Sequence, residues 1–283
     1  MRIILSRKGF DSSAGGFPSP ILPDGRLCSL PIPDPASSVS YSSIDHDGID
    51  LGELLVGLTG EASWRSRGAH LDPDLRADAL PRRPGWKPLL GQSGSAQGHL
   101  RNEGVVPGDL FLFFGSFRSV QTMKDGWRFC PEQTPIQVIW GWLQVSEILK
   151  VDELAADAMD WARYHPHFNY AADTTNTLYL ARDELRVEGV STPYPGAGTF
   201  RYLHERLQLT VPGSRPQTRW QLPLCLAPAA GHTGLSFHRN PSRWSLEADR
   251  CLLDSAFRGQ EFVFDATGQK AVLGWVESLL ACG

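Results

Sequence analysis

The chain lacks most of the signatures that assign chemistry directly. There is no G-x-S-x-G elbow for a serine hydrolase. No G-x-G-x-x-G follows a strand, and no Walker loop ends in Gly-Lys-Ser/Thr before a helix. Gly196 and Gly198 sit in a Pro-rich loop instead. No H-E-x-x-H is present for a zinc protease. The five cysteines, Cys28, Cys130, Cys225, Cys251 and Cys282, are odd in number, far apart and without a CxxC. A disulfide framework or zinc knuckle is therefore not expected, and free, mostly buried thiols in a reducing compartment are.

Long apolar runs are also missing. No stretch approaches the roughly 20 residues of a membrane span, and the N-terminus is too short for a signal-peptide core. A soluble, cytoplasmic protein without membrane contact is the expectation. Excess charge is small: the formal net charge of −4 argues against indiscriminate binding to duplex DNA, which needs a broad basic face, but leaves room for a local basic pocket. With 283 residues and 41% apolar content, the chain can bury a substantial core. Repeats and clear linkers are absent, so residues 1–283 are read as one domain.

What is present begins with residues 105–149. VVPGDLFLFFGSFR and IQVIWGWLQVSEIL are two apolar runs separated by about twenty mixed residues, each bounded by turn residues and rich in Phe, Val and Ile. They predict a strand pair of the kind found in small β-barrels. Arg2 to Leu5 predicts another strand, followed by a proline-interrupted stretch whose Phe10, Phe17, Ile21, Leu22 and Leu27 anchor an ordered loop. Leu51, Leu54, Leu55 and Leu58 predict a helix over 49–58, ended by Gly60. A second helix is predicted over Val151 to Tyr164, capped by Asp152, and a third at Gly274 to Leu280. Further strands are expected at Asn176 to Leu180, Leu207 to Val211, Gln221 to Leu226 and Glu261 to Asp265. The fold class expected is α/β in the α+β sense: a mixed, strongly bent sheet or a PUA-like β-barrel, with surrounding helices and long ordered loops.

Four groups of residues are candidates for chemistry. Ser6, Arg7 and Lys8 follow the first strand, and Asp11 and Ser19 lie in the Ser/Gly-rich loop beyond. Arg offers a planar fork, Lys a point charge, and glycines let backbone N–H groups approach an anion; the alternative is a solvated surface turn. His70 and Asp72, with His165 and His167, have ligand types suited to a divalent metal, and alternate residues of an extended segment share a face. The alternative is a pair of ordinary turns, with histidines satisfying free carbonyls. In LGQSGSAQGHL, Gln92 and Gln97 can read base edges and His99 can move a proton, whereas the same stretch also suits a helix start capped by Ser93. Finally, Phe111, Phe113, Phe114, Trp140 and Trp142 alternate along the strand pair. One face should be core; the other, including Trp142, could stack a base.

ILSRKGFDSSAGGFPSPILPDG, SLPIP, HLDPDL, LGQSGSAQGHL, GDLFLFFGSFR, YHPH and RGQEFVFD together resemble the third nucleotide-modification-associated domain family, from Ile4 to about Asp265. One departure is Ser116, where an aromatic is expected. The likeness of 105–149 to PUA-like and ASCH-like barrels covers only about forty residues. The family resemblance implies a nucleotide or nucleic acid as ligand and leaves the reaction open. Three readings follow. One is a base- or nucleotide-modifying enzyme, with Ser6, Arg7, Lys8, Ser19, Gln92 and Gln97 binding substrate and Asp11 or His99 moving a proton. A divalent metal, iron or zinc, would sit at His70, Asp72, His165 and His167. The second is a non-catalytic reader of a modified base that uses Trp142. The third is a metal-dependent enzyme acting on a small molecule or peptide.

Overall fold

The computed structural model describes residues 1–124, 126–170, 172–228, 232–256, 259 and 261–283. The start of RGQEFVFD thus lies partly outside the described residues. Nine strands form the main sheet: β1 (Arg2–Arg7), β2 (Ser19–Ile21), β3 (Leu89–Gln92), β4 (Leu110–Met123), β5 (Gly126–Phe129), β6 (Ile136–Lys150), β7 (Thr177–Ala181), β8 (Ala197–Thr199) and β9 (Glu261–Asp265). Their order is β9-β1-β4-β6-β7-β3, with β2 and β5 also paired to β4 and β8 to β6. β1 and β2 run parallel to β4, and the other pairs are antiparallel.

β4 and β6 are the predicted strand pair, aligned so that Phe114 faces Ile139 and Leu112 faces Trp142. Every residue from Leu110 to Phe117 and from Gln137 to Val145 is buried. A strand covered on both faces reads as a continuous apolar run rather than an alternating one. Both aromatic faces are therefore core. Helix α3 (Lys270–Leu280) contributes Val272, Val276 and Leu279 to the main cluster, and α1 (Leu51–Thr59) contributes Leu51, Leu54 and Leu55 to a second cluster around Phe10, Tyr41 and Trp64. The Asp50 side chain accepts from Glu53 N at 3.0 Å, and Gly60 closes α1 in the left-handed region.

The sheet does not close into a barrel. β1 lies on the far side of β4 from β6, and among the described residues β9 and β3 end the ladder without pairing to each other. The curvature still brings these ends together at one point, where the Gln92 amide of β3 donates to the Glu261 carboxylate of β9. The sheet is a bent one with an open seam, and Ser6, which pairs with Glu261 in register, lies on that seam.

Two other expectations differ from the structure. Residues 151–164 form only short 3₁₀ turns at Val151–Glu153 and Asp160–Ala162. Ala155, Ala156 and Asp157 are exposed, while Val151, Leu154, Met159, Trp161 and Ala162 reach a third apolar cluster, with Leu89, Leu178 and Leu180, from short turns rather than from a helix. The Arg163 guanidinium instead takes up the carbonyls of Ala155, Ala156 and Ala158. The stretch expected as a strand near Leu207 is a 3₁₀ turn, Glu205–Leu207, followed by isolated bridges at Gln208 and Thr210. All five cysteines are free. No helix among the described residues is long and apolar enough to cross a membrane.

Candidate metal centre and anion cavity

The site lies at the seam. β1 ends at Arg7, and the Lys8 N–H continues the ladder by donating to Phe114 O at 2.8 Å. Gly115 makes this approach possible, since a Cβ there would stand 2.5 Å from the Lys8 carbonyl. The short ribbon Ile32–Pro33 with Ala69–His70 brings in His70, and Asp72 follows two residues later. β3 ends at Gln92. The 3₁₀ turn Pro166–Tyr170 presents His167, with His165 just before it. These elements border a cavity of about 350 Å³ whose lining includes Arg7, Lys8, Asp11, Gln92, His70, Asp72 and His167. That is the volume range of small-ligand sites.

One ligand atom each from His70, Asp72 and His167 falls within a mutual distance of 4.8 Å. Four atoms at about 2.1 Å from one cation lie about 3.4 Å apart, so modest side-chain movement closes the set. Each histidine is held by its other nitrogen. His70 Nδ1 is 2.9 Å from Asp34 Oδ2, and Tyr170 donates to the second Asp34 oxygen at 3.3 Å. His167 Nδ1 donates to Asn176 Oδ1 at 2.5 Å, and Asn176 is itself fixed by donating to the carbonyls of His167 and Tyr170. Both imidazoles thus direct Nε2 away from these anchors. Such outer partners are the arrangement that orients metal-binding histidines. Burial drives the His167 pKa down to about 4, against the opposing pull of the Asp72 charge, so its Nε2 keeps a lone pair at neutral pH.

Asp72 is the hub. Its side chain is 3% exposed. Oδ1 accepts from Gly91 N at 2.6 Å and lies 3.4 Å from His165 Nε2. Oδ2 faces Lys8 Nζ at 3.5 Å and His167 Nε2 at 3.8 Å. Burial pushes the Asp72 pKa up, but the Lys8 charge and the neighbouring histidines outweigh it, and the net shift is strongly downward. The carboxylate is therefore anionic. Gly91 has a second role: a Cβ on it would stand 2.1 Å from the His167 ring. Only glycine leaves that space. His165 is fully buried, and neither of its ring nitrogens has a hydrogen-bond partner among the described residues.

Glu261 was not foreseen. It is buried, with Oε1 accepting from Ser6 Oγ at 3.0 Å and from Gln92, and Oε2 has no hydrogen-bond partner among the described residues. Burial pushes its carboxyl up toward the neutral acid, partly offset by Lys8. Its place at the head of an apolar strand gave no distinguishing signal. The same holds for Asp34 and Asn176, whose side chains look like ordinary loop polar groups in the sequence.

Other predicted residues are placed elsewhere. Trp142 is core: it packs on Phe200 with ring centroids 4.9 Å apart, and its indole donates to Pro195 O at 3.0 Å. The expected stacking platform is consequently absent on β4 and β6, and Ser116 is buried with its hydroxyl on Gln217. His99 lies on α2 (Gly94–Asn102), which starts after Ser93, although the Ser93 side chain makes no capping bond. Its Nε2 is 2.9 Å from Ser236 Oγ and its ring packs at a tilt against Phe237, outside the cavity lining. Gln97 accepts from Tyr179. Ser19 accepts from Leu30 N and ties the loop down. Asp11 lines the cavity, but its Oδ1 caps the Ser13–Ala14 turn.

A profile described as Nucleotide modification associated domain 3 matches residues 2–265 of the 283-residue chain. The chain belongs to this family. No curated protein and no solved structure gives a significant match. The nucleotide modification associated domain 3 match includes every residue of the cavity and of the His–Asp cluster. The family name connects the chain with nucleotide modification.

Proposed function

We propose that this chain is a divalent-metal-dependent enzyme that modifies a nucleotide or a nucleobase. The observation that carries the proposal is the convergence of His70, Asp72 and His167 ligand atoms on the wall of the 350 Å³ cavity, each histidine anchored from behind. Two imidazoles and one carboxylate leave coordination positions for substrate or water, a donor set that suits zinc or non-haem iron. When bound, the cation would supply Lewis-acid or redox chemistry. The chain's own residues bind and orient. Arg7 and Lys8 supply positive charge for phosphate, and the Gln92 amide, its orientation fixed by Glu261, offers a polar edge to a base.

The reader hypothesis loses its main support, because the aromatics it needs are buried in the core. Elemental analysis of protein purified without chelator tests the proposal. About one zinc or iron per chain is expected, lost in H167A and in D72A. Incubation with nucleotides, oligonucleotides and peptides, followed by mass spectrometry, identifies the substrate class. Undiminished activity in fully demetallated protein, or modification of peptides alone, defeats this reading.

A further inference from the structure

Asp72 Oδ2 is the point of interest. Oδ1 already accepts the Gly91 N–H, so Oδ2 is the oxygen that would join His167 Nε2 on a cation. Lys8 Nζ stands 3.5 Å from that same oxygen. An ammonium and a divalent cation repel each other strongly at such separations, the more so where both are shielded from water. The Lys8 side chain is only 11% exposed, so solvent does little to screen it. Lys8 lines the cavity together with Arg7, Ser13 and Ser93, and its flexible four-carbon stem can carry the ammonium to a ligand held there. The carboxylates at the rim are not equivalent substitutes for Asp72: Asp11 and Asp173 each commit Oδ1 to a local turn, to Ser13 and Ala14 and to Thr175 respectively.

We infer that Lys8 couples the two halves of the site: it holds the Asp72 oxygen until a phosphate-bearing ligand enters the cavity, then swings to that phosphate and frees Oδ2 for the metal. The ammonium serves as counter-ion to Asp72 without ligand and to the phosphate with it. Metal and phosphate ligand therefore bind with positive cooperativity. By linkage each raises the affinity of the other by the same factor. The inference rests on the metal reading above, and adds that nucleotide and cation load together.

The test is a cobalt(II) titration of the full chain followed by its visible absorption bands. It is run alone, with a saturating nucleoside 5′-monophosphate, with the unphosphorylated nucleoside, and with inorganic phosphate below its solubility limit with the metal. The monophosphate is expected to tighten cobalt binding about tenfold and the nucleoside not at all. Inorganic phosphate reproducing the effect assigns it to the phosphate group alone and supports the inference. Lys8→Met is expected to bind cobalt as tightly without ligand as the wild type does with it, and to show no coupling. Lys8→Arg, which keeps the charge, is expected to bind cobalt weakly until the monophosphate is added. The reciprocal titration of monophosphate with and without cobalt needs no variant and must give the same factor. Cobalt binding that ignores the monophosphate, or that responds equally to the nucleoside, overturns the role of Lys8 while leaving the metal centre standing. Failure of both wild type and Lys8→Met to bind cobalt at all overturns the metal centre as well.

Discussion

Gly91→Ala is a small change aimed at the least forgiving contact in the site. The added Cβ would stand 2.1 Å from His167 Cδ2, 2.3 Å from Cγ and 2.4 Å from Nε2. Ordinary carbon contacts begin near 3.4 Å, so the ring or the strand must move by about 1.3 Å. The ring cannot do so freely. Its Nδ1 is bound to Asn176 at 2.5 Å, and Asn176 is held by two carbonyls. The strand is no freer, because β3 pairs with β7 and Gly91 N holds Asp72. Overpacking of this kind costs about 1–3 kcal/mol, and loss of the buried His167–Asn176 bond adds about 1–3 kcal/mol. Urea unfolding followed by far-UV circular dichroism should therefore show a loss of about 2–6 kcal/mol, with cobalt binding reduced toward that of H167A. A double-mutant cycle separates the clash from any effect of alanine on the strand. In the H167A background the ring is gone, and Gly91→Ala should cost less than about 1 kcal/mol. A Gly91→Ala protein as stable as the wild type, or the same penalty in both backgrounds, would refute the argument that His167 requires this glycine.

The remaining predictions concern the surroundings of the site. Asp34→Asn keeps an acceptor for His70 but removes its charge, and should weaken cobalt binding about 10–100-fold; unchanged affinity would count against an orienting role. Buried His238 donates through Nδ1 to Ser236 O and accepts from Ala256 N through Nε2, and burial holds its pKa down to about 4. With the folded value below the unfolded one, its contribution is intact above pH 6.5 and lost as pH falls toward 4, by about 3 kcal/mol; His167 follows the same sign over the same window in metal-free protein. Stability measured in urea that stays flat from pH 6.5 to 4.5 would contradict this. Trp142→Phe removes the indole bond to Pro195 and some volume, so it should cost about 1–3 kcal/mol and leave nucleotide affinity by calorimetry unchanged; lost affinity in a stable variant would return Trp142 to the site.

Much of the frame was legible because the signals were local. The apolar runs at 110–117 and 136–149 could only be strands, and the Asp50 and Gly60 boundaries of α1 follow from capping chemistry. The ligand types His70, Asp72, His165 and His167 stand out in the sequence, but it is the fold, with a 3₁₀ turn at Pro166–Tyr170 rather than extended chain, that brings both His165 and His167 to the Asp72 carboxylate. What was not legible depended on tertiary context. Alternation along β6 suggested a wet face, but burial on both sides made all its aromatics core. Residues 151–164 have the apolar spacing of a helix, but Val151, Leu154, Met159, Trp161 and Ala162 pack on their cluster from short turns whose carbonyls Arg163 takes up. Asp34, Asn176 and Glu261 matter only through partners 36, 9 and 169 positions away, and no short-range pattern points to them.

The unclosed seam explains why the site sits where it does. In a closed barrel the ends of β9 and β3 would satisfy one another through backbone pairs, and no side chain would be needed there. Here the join is made by Ser6, Gln92 and Glu261, all buried polar groups that bear on a single carboxylate oxygen. Buried polar groups are costly unless matched, so a seam built from them lowers stability relative to a ladder. The structure accepts that cost at the place where Lys8, Asp72 and His167 also meet, and Gln92 of the seam lines the same cavity as they do. A chain that closed the ladder would gain backbone hydrogen bonds and lose the side-chain join that sets Gln92 beside Lys8, Asp72 and His167 on the cavity wall.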